Sequence, residues 1–168
     1  MWVVAKFKKN NEETFKKELN SSLNNTCKFY QPFFELEIFN KNGKKIKKRK
    51  KNLLDNYIFC FSESFGKYFA LSKLKYTKGL ECFLNGTTKD SKEIEEFVSF
   101  CKNNENSEGT LKNSFFFNFI KSKAMIGSGP LANVILDTIL IKENKLRAYT
   151  GNLKITLTKN SESYCYPV

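Results

Sequence analysis

The sequence predicts an α+β protein: an N-terminal antiparallel sheet with packed helices, a flexible linker, and a small C-terminal β-barrel. Three observations carry this. As far as residue 102, strand-like and helix-like apolar patterns follow one another in the order β-α-β-β-β-α-β-α. Residues 102–114 (KNNENSEGTLKNS) are polar and contain Gly109, the composition of a linker. After them come short β-branched segments divided by turn residues at Gly127, Gly129, Asn144 and Gly151, a pattern that suits a small barrel. The expected domains are 1–102, a linker at 103–114, and 115–168.

The first strand covers 2–8 (WVVAKFK), with Val3, Ala5 and Phe7 on one face and Trp2, Val4 and Lys6 on the other. Asn10-Asn11 is a helix cap, and Glu12 and Glu13 suit a first turn. Phe15, Leu19 and Leu23 then recur at helical spacing until Asn24-Asn25 ends the run. A second extended segment, 27–39, carries Pro32 as an irregularity near its start. Glu35 and Glu37 share one of its faces and read as an exposed pair, with Phe34, Leu36 and Ile38 opposite. Asn42-Gly43 is a hairpin signal, because a two-residue turn needs positive φ at both positions.

The return strand, Lys44 to Lys51 (KKIKKRKK), has seven basic residues in eight. Lys44, Lys45, Lys47, Lys48, Arg49, Lys50 and Lys51 are candidate phosphate contacts. The alternatives are a solvated hairpin or a charged edge that discourages pairing. Next, 52–61 (NLLDNYIFCF) turns at Asp55-Asn56 and enters a strand apolar on both faces, Tyr57, Phe59 and Phe61 against Ile58 and Cys60. Such a strand is covered twice by its own protein, or once by a partner. Residues 62–76 read as a helix that Gly79 follows, 80–84 as a strand, Asn85-Gly86 as a turn. Asp90 or Ser91 caps a helix over Ile94, Phe97, Val98 and Cys101. Beyond the linker, Leu131, Val134, Ile135, Thr138 and Ile139 also fit helical spacing, so a helical C-terminal domain is the alternative. The β-branched residues favour strands.

Composition narrows the function. With 29 basic and 17 acidic residues, the net charge of +12 favours an anionic partner, nucleic acid first; a lysine-rich solvated surface is the bland explanation. No apolar run approaches a membrane span, and the start is unlike a signal peptide. The five cysteines are scattered and form no C-x-x-C pair, and there is no histidine. Reduced packing cysteines in a cytoplasmic protein follow, with no zinc site, no cofactor and no usual general base. Glu35, Glu37 and Asp55 near basic charge give an enzymatic reading, such as a nuclease, its only support. They sit at no metal-binding spacing, so this ranks last.

In order and spacing, the pieces resemble the NusG family of transcription elongation factors over nearly the whole chain. Trp2-Val3-Val4 is similar to the family's first strand, and Phe29-Tyr30-Gln31-Pro32 with the Asn42-Gly43 hairpin to its second and third. Residues 53–59 (LLDNYIF) resemble its Phe-Pro-Gly/Asn-Tyr-aliphatic motif, Thr77-Lys78-Gly79-Leu80 its Thr-Pro/Arg-Gly-Val step, and Gly129-Pro130-Leu131 the Gly-Pro-Phe of the C-terminal KOW barrel. The resemblance implies a monomeric, non-enzymatic elongation and antitermination factor. Trp2, Leu54, Tyr57 and Phe59 would bind the clamp helices of RNA polymerase, the basic run would lie near DNA or RNA at the transcription bubble, and the barrel, turning at Gly129 and Pro130, would recruit ribosomal protein or Rho.

The departures matter too. Asp55 stands where the family usually has Pro. Asn56 in place of Gly is similar to the specialised RfaH-type paralogues, whose His-Thr-Thr-Thr contact falls on about Ala70-Leu71-Ser72-Lys73. The barrel's glycines fall on Asn133 and Leu136, and its usual Gly-Asp is missing. The rival from the residues alone is a basic RNA- or DNA-binding module, ribosome-associated, that does not act on polymerase.

Overall fold

The computed structural model describes residues 1–39, 45–66, 70–84, 88–117, 119–120, 123–127, 131–136, 138–142, 145–150, 153–158 and 165–167. In chain order the elements are β1 (Trp2–Phe7), α1 (Glu12–Ser22), β2 (Lys28–Tyr30), β3 (Phe33–Phe39), β4 (Lys45–Asn52), β5 (Tyr57–Phe61), a 3-10 turn (Glu63–Gly66), α2 (Ala70–Leu74), β6 (Leu80–Phe83) and α3 (Thr88–Asn103). They continue with α4 (Asn113–Phe117), β7 (Ala124–Ile126), β8 (Ile135–Leu136), β9 (Thr138–Lys142), β10 (Lys145–Thr150), β11 (Leu153–Thr158) and β12 (Cys165–Pro167). The protein is therefore mixed α+β with antiparallel sheets. It forms two compact units, Met1–Pro32 with Asn52–Asn103, and Phe33–Lys51 with Asn104–Val168.

The first unit is built on a four-stranded sheet in the order β2-β5-β1-β6. Val3 lies opposite Cys60 and Ala5 opposite Ile58, so these side chains share a face with Phe7. That face packs on the α1 stripe of Phe15, Leu19 and Leu23. Ala5, Phe15, Leu19, Ile58 and Cys60 are fully buried. Asn24 and Asn25 end α1 in left-handed backbone, φ +54° and +59°, a conformation asparagine tolerates better than most residues. At the other end Asn11 makes no side-chain cap bond; its amide donates to Lys9 O instead. Gly79 has φ +85°, and a Cβ there would meet Asn11 O at 3.0 Å and Phe15 Cβ at 3.1 Å. Only glycine lets the turn into β6 pass this close to α1.

Several sequence expectations change here. The extended segment 27–39 is two strands, divided at Gln31-Pro32, because proline has no N–H to continue a ladder. The helix expected over 62–76 is a 3-10 turn and a five-residue α2, with 67–69 outside the described residues. The helix expected to start at Asp90 or Ser91 begins at Thr88; Ser91 Oγ instead accepts the Trp2 N–H at 2.9 Å, tying α3 to β1. The turn expected at Asn85-Gly86 lies outside the described residues.

In the second unit, β3 pairs with β4, and two three-stranded sheets, β12-β7-β8 and β11-β10-β9, share one core. Ala124, Ile126, Leu136, Leu146, Ala148 and Cys165 fill it. The helical alternative for 131–149 does not hold over the described residues: 131–133 are a turn, β8, β9 and β10 follow from Ile135, and Leu146 to Ile141 and Ala148 to Ile139 are cross-strand neighbours. Residues 104–112, within the stretch read as linker, form a bonded loop. Asn106 Oδ1 accepts from Glu108 N, Thr110 N and Thr110 Oγ1, each at 3.0 Å. Leu111 N donates to Phe33 O at 2.7 Å, and Thr110 and Leu111 are fully buried. Phe34, Phe115 and Phe116 make a second buried cluster, with Phe34 and Phe116 rings 5.4 Å apart.

Candidate protein-docking and nucleic-acid interfaces

The second face of the first sheet carries the ring-rich positions. Lys6 lies opposite Tyr57, Val4 opposite Phe59 and Trp2 opposite Phe61, with Tyr30 of β2 beside Phe59. This face is covered in its middle by α3. The Phe97 ring sits 5.7 Å from Phe59, Tyr30 stacks on Phe59 at 6.2 Å, and Lys102 Nζ lies 5.3 Å over Tyr30. Phe59 is 5 % exposed in consequence. Expected as an anchor for a partner, it is a core residue beneath α3.

What remains open lies at the two ends of the strand pair, about 13 Å apart over four strand residues. At one end the half-buried Trp2 and Phe61 rings are 5.3 Å apart, with Lys28 Nζ 5.9 Å over Phe61. At the other are Leu54 and Tyr57, both half-buried, with Lys6 Nζ 5.9 Å over the Tyr57 ring. Lys6 also pairs with Glu81 at 2.6 Å, a hydrogen bond that raises its pKa. The four ring and leucine positions read from the sequence thus divide three ways: Leu54 with Tyr57, Trp2 with Phe61, and Phe59 inside.

The turn that presents Leu54 is bonded from several directions. Asn52 Oδ1 accepts Leu54 N–H at 3.0 Å, and Asn52 Nδ2 donates to Asp55 O at 2.7 Å. Tyr57 N donates to Leu54 O at 3.0 Å and Phe7 N to Asn56 O at 2.9 Å. Asp55 has φ +49°. Proline, locked near −65°, is excluded there.

The chain matches no family model, and no curated protein matches it. The site is therefore read from its own residues.

In the second unit the basic strand β4 runs from Lys45; Lys44 and the Asn42-Gly43 turn lie outside the described residues, as do Gly129 and Pro130. Lys47, Lys48, Arg49, Lys50 and Lys51 are all exposed. Lys48 Nζ lies 3.0 Å from Glu35 Oε2, and Lys50 Nζ donates to Glu108 O at 2.8 Å. Glu35, expected on an exposed face, is buried, with 5 % of its surface exposed. Lys48 chiefly, with Glu108 and Lys50 contributing, holds its carboxyl below the usual carboxylate range against the effect of burial. This is the pairing a buried carboxylate requires, and sequence reasoning missed it because the partner comes from another strand.

None of the five cysteines is joined in a disulfide. Burial pushes Cys60 well up, and Cys165 to about 11. A hydrogen bond from Cys60 lowers the Cys27 thiol. Among the described residues, no group of three or more His, Cys, Asp or Glu is placed to hold a metal ion, and no helix is long and apolar enough to cross a membrane.

Proposed function

We propose that the chain is a NusG-like, RfaH-type transcription elongation and antitermination factor of the cytoplasm, acting by binding and not by catalysis. The first unit takes the NusG N-terminal role and the second supplies a KOW-type barrel. RNA polymerase clamp helices dock on Leu54 and Tyr57, with Trp2 and Phe61 as a flanking contact. The observation that carries this reading is the turn 52–57, held by Asn52 and presenting Leu54 and Tyr57 half-exposed. Pre-organised apolar and aromatic anchors are what protein interfaces use. Asn133, at a position where the resembling family has glycine, has φ +70°, the backbone state glycine supplies. This too supports the reading.

Capture of core RNA polymerase by the tagged chain tests it. Leu54→Ala with Tyr57→Ala lowers capture about tenfold or more, at about 1–3 kcal/mol per anchor, while circular dichroism stays native. Unchanged capture by that folded variant rejects the docking site.

A second reading, a basic nucleic-acid-binding module that does not act on polymerase, is favoured by the exposed row Lys47, Arg49 and Lys51 on β4. Tight binding to naked nucleic acid together with absent polymerase capture selects it.

A further inference from the structure

The basic run contributes to both readings above, and the structure divides it. Side chains alternate along a strand, so Lys47, Arg49 and Lys51 share one face of β4 and Lys48 and Lys50 the other. The second pair is engaged by the protein: Lys48 with the buried Glu35 carboxylate, Lys50 with the Glu108 carbonyl. For Lys47, Arg49 and Lys51 no ion pair is seen among the described residues, and all three are exposed.

We propose that β4 binds the sugar-phosphate backbone of a single nucleic-acid strand through Lys47, Arg49 and Lys51, while Lys48 and Lys50 are structural. The proposal rests on the reading that the basic strand meets nucleic acid, and adds which face does so and which form it takes. Three basic residues recur along one face at backbone intervals of about 6.7 Å. A flexible strand can lay successive phosphates along such a row, whereas a duplex backbone curves away from it. The three β4 side chains of the row are all cations, so recognition is of the backbone and independent of sequence. The Glu35 carboxylate is paired with Lys48, on the other face of β4.

The test is fluorescence anisotropy of the full chain with labelled oligothymidylate across a salt series. A random-sequence duplex of equal length and phosphatidylserine vesicles serve as comparison probes. Lys47→Gln/Arg49→Gln/Lys51→Gln reduces the slope of log affinity against log salt by about 2, the release of some three counterions from a single strand. Lys48→Gln/Lys50→Gln leaves the slope within about 0.5 of the parent and lowers the melting temperature by freeing Glu35. If the parent binds oligothymidylate but both variants lose the same slope, the division of faces is wrong. Equal or tighter binding to the duplex or the vesicles overturns the single-strand assignment. If the parent binds none of the three probes, the underlying nucleic-acid reading itself fails. Polymerase capture through Leu54 and Tyr57 is measured separately and is untouched by any of these outcomes.

Discussion

β4 and β5 follow one another in the chain across a single turn, and their chemistry sends them to opposite situations. β5 (YIFCF) lies between β1 and β2, with Ile58, Phe59 and Cys60 buried. β4 (KIKKRKKN) pairs, among the described residues, with β3 alone, and its side chains from Lys47 to Lys51 are exposed. Both have an extended backbone and neither alternates apolar with polar. The difference is desolvation. Covering β5 removes apolar surface from water on both sides, whereas covering β4 means stripping water from five adjacent cations. A strand apolar on both faces is therefore mostly consumed by its own fold, and only its ends stay available. A strand charged on both faces stays outside, and its own carboxylates engage only one of those faces.

The sharpest way to break the comparison is substitution at matched positions. Ile58→Ala lowers stability by about 3 kcal/mol in urea unfolding, the usual cost of truncating a fully buried aliphatic residue. Lys47→Ala changes it by less than about 0.5 kcal/mol. Similar costs at the two positions mean that the strands are not used as described. Asp55→Pro, which installs the residue of the resembling motif between them, costs about 2 kcal/mol, because φ +49° is closed to proline. A neutral result there means that the turn has another backbone. Asn52→Ala, at the junction itself, costs about 1 kcal/mol for the lost bonds to Leu54 N and Asp55 O. If polymerase docks on Leu54 and Tyr57 as proposed, the same change also weakens polymerase capture.

The smallest effect is in pH. Lys48 holds the Glu35 pKa below its unfolded value, so the pair's contribution is fully present above about pH 4.3. It fades as pH falls through the lower folded value. Lys48→Gln flattens this acid-side decline, by less than about 1 kcal/mol because Lys48 is half in solvent. An unchanged acid limb contradicts the pairing.

Long periodic segments were readable from the sequence. The two faces of β1, the Phe15-Leu19-Leu23 stripe of α1 and the Phe97-Val98-Cys101 side of α3 are all local patterns. α2 and α4, at five residues each, are too short to show a helical period. The break at Gln31-Pro32 was visible as a proline, but its result, one strand in each unit, depends on partners far along the chain. For the candidate site, the sequence singled out Trp2, Leu54, Tyr57 and Phe59 as one patch. That Phe59 lies under Phe97 depends on where α3 crosses the sheet, and strand periodicity carries no information about that. The ties of Lys48 and Lys50 were equally hidden, since seven basic residues in eight give no hint of which meet carboxylates and carbonyls.

The proposed docking turns most directly on whether a polymerase covers the turn at 52–57. Amide hydrogen exchange of the full chain, followed with and without core RNA polymerase, measures this. Docking as proposed adds protection at residues 53–57, with a weaker effect near Trp2 and α1 unchanged. Exchange at 53–57 that is the same in both samples, at polymerase concentrations where the chain is bound, contradicts it.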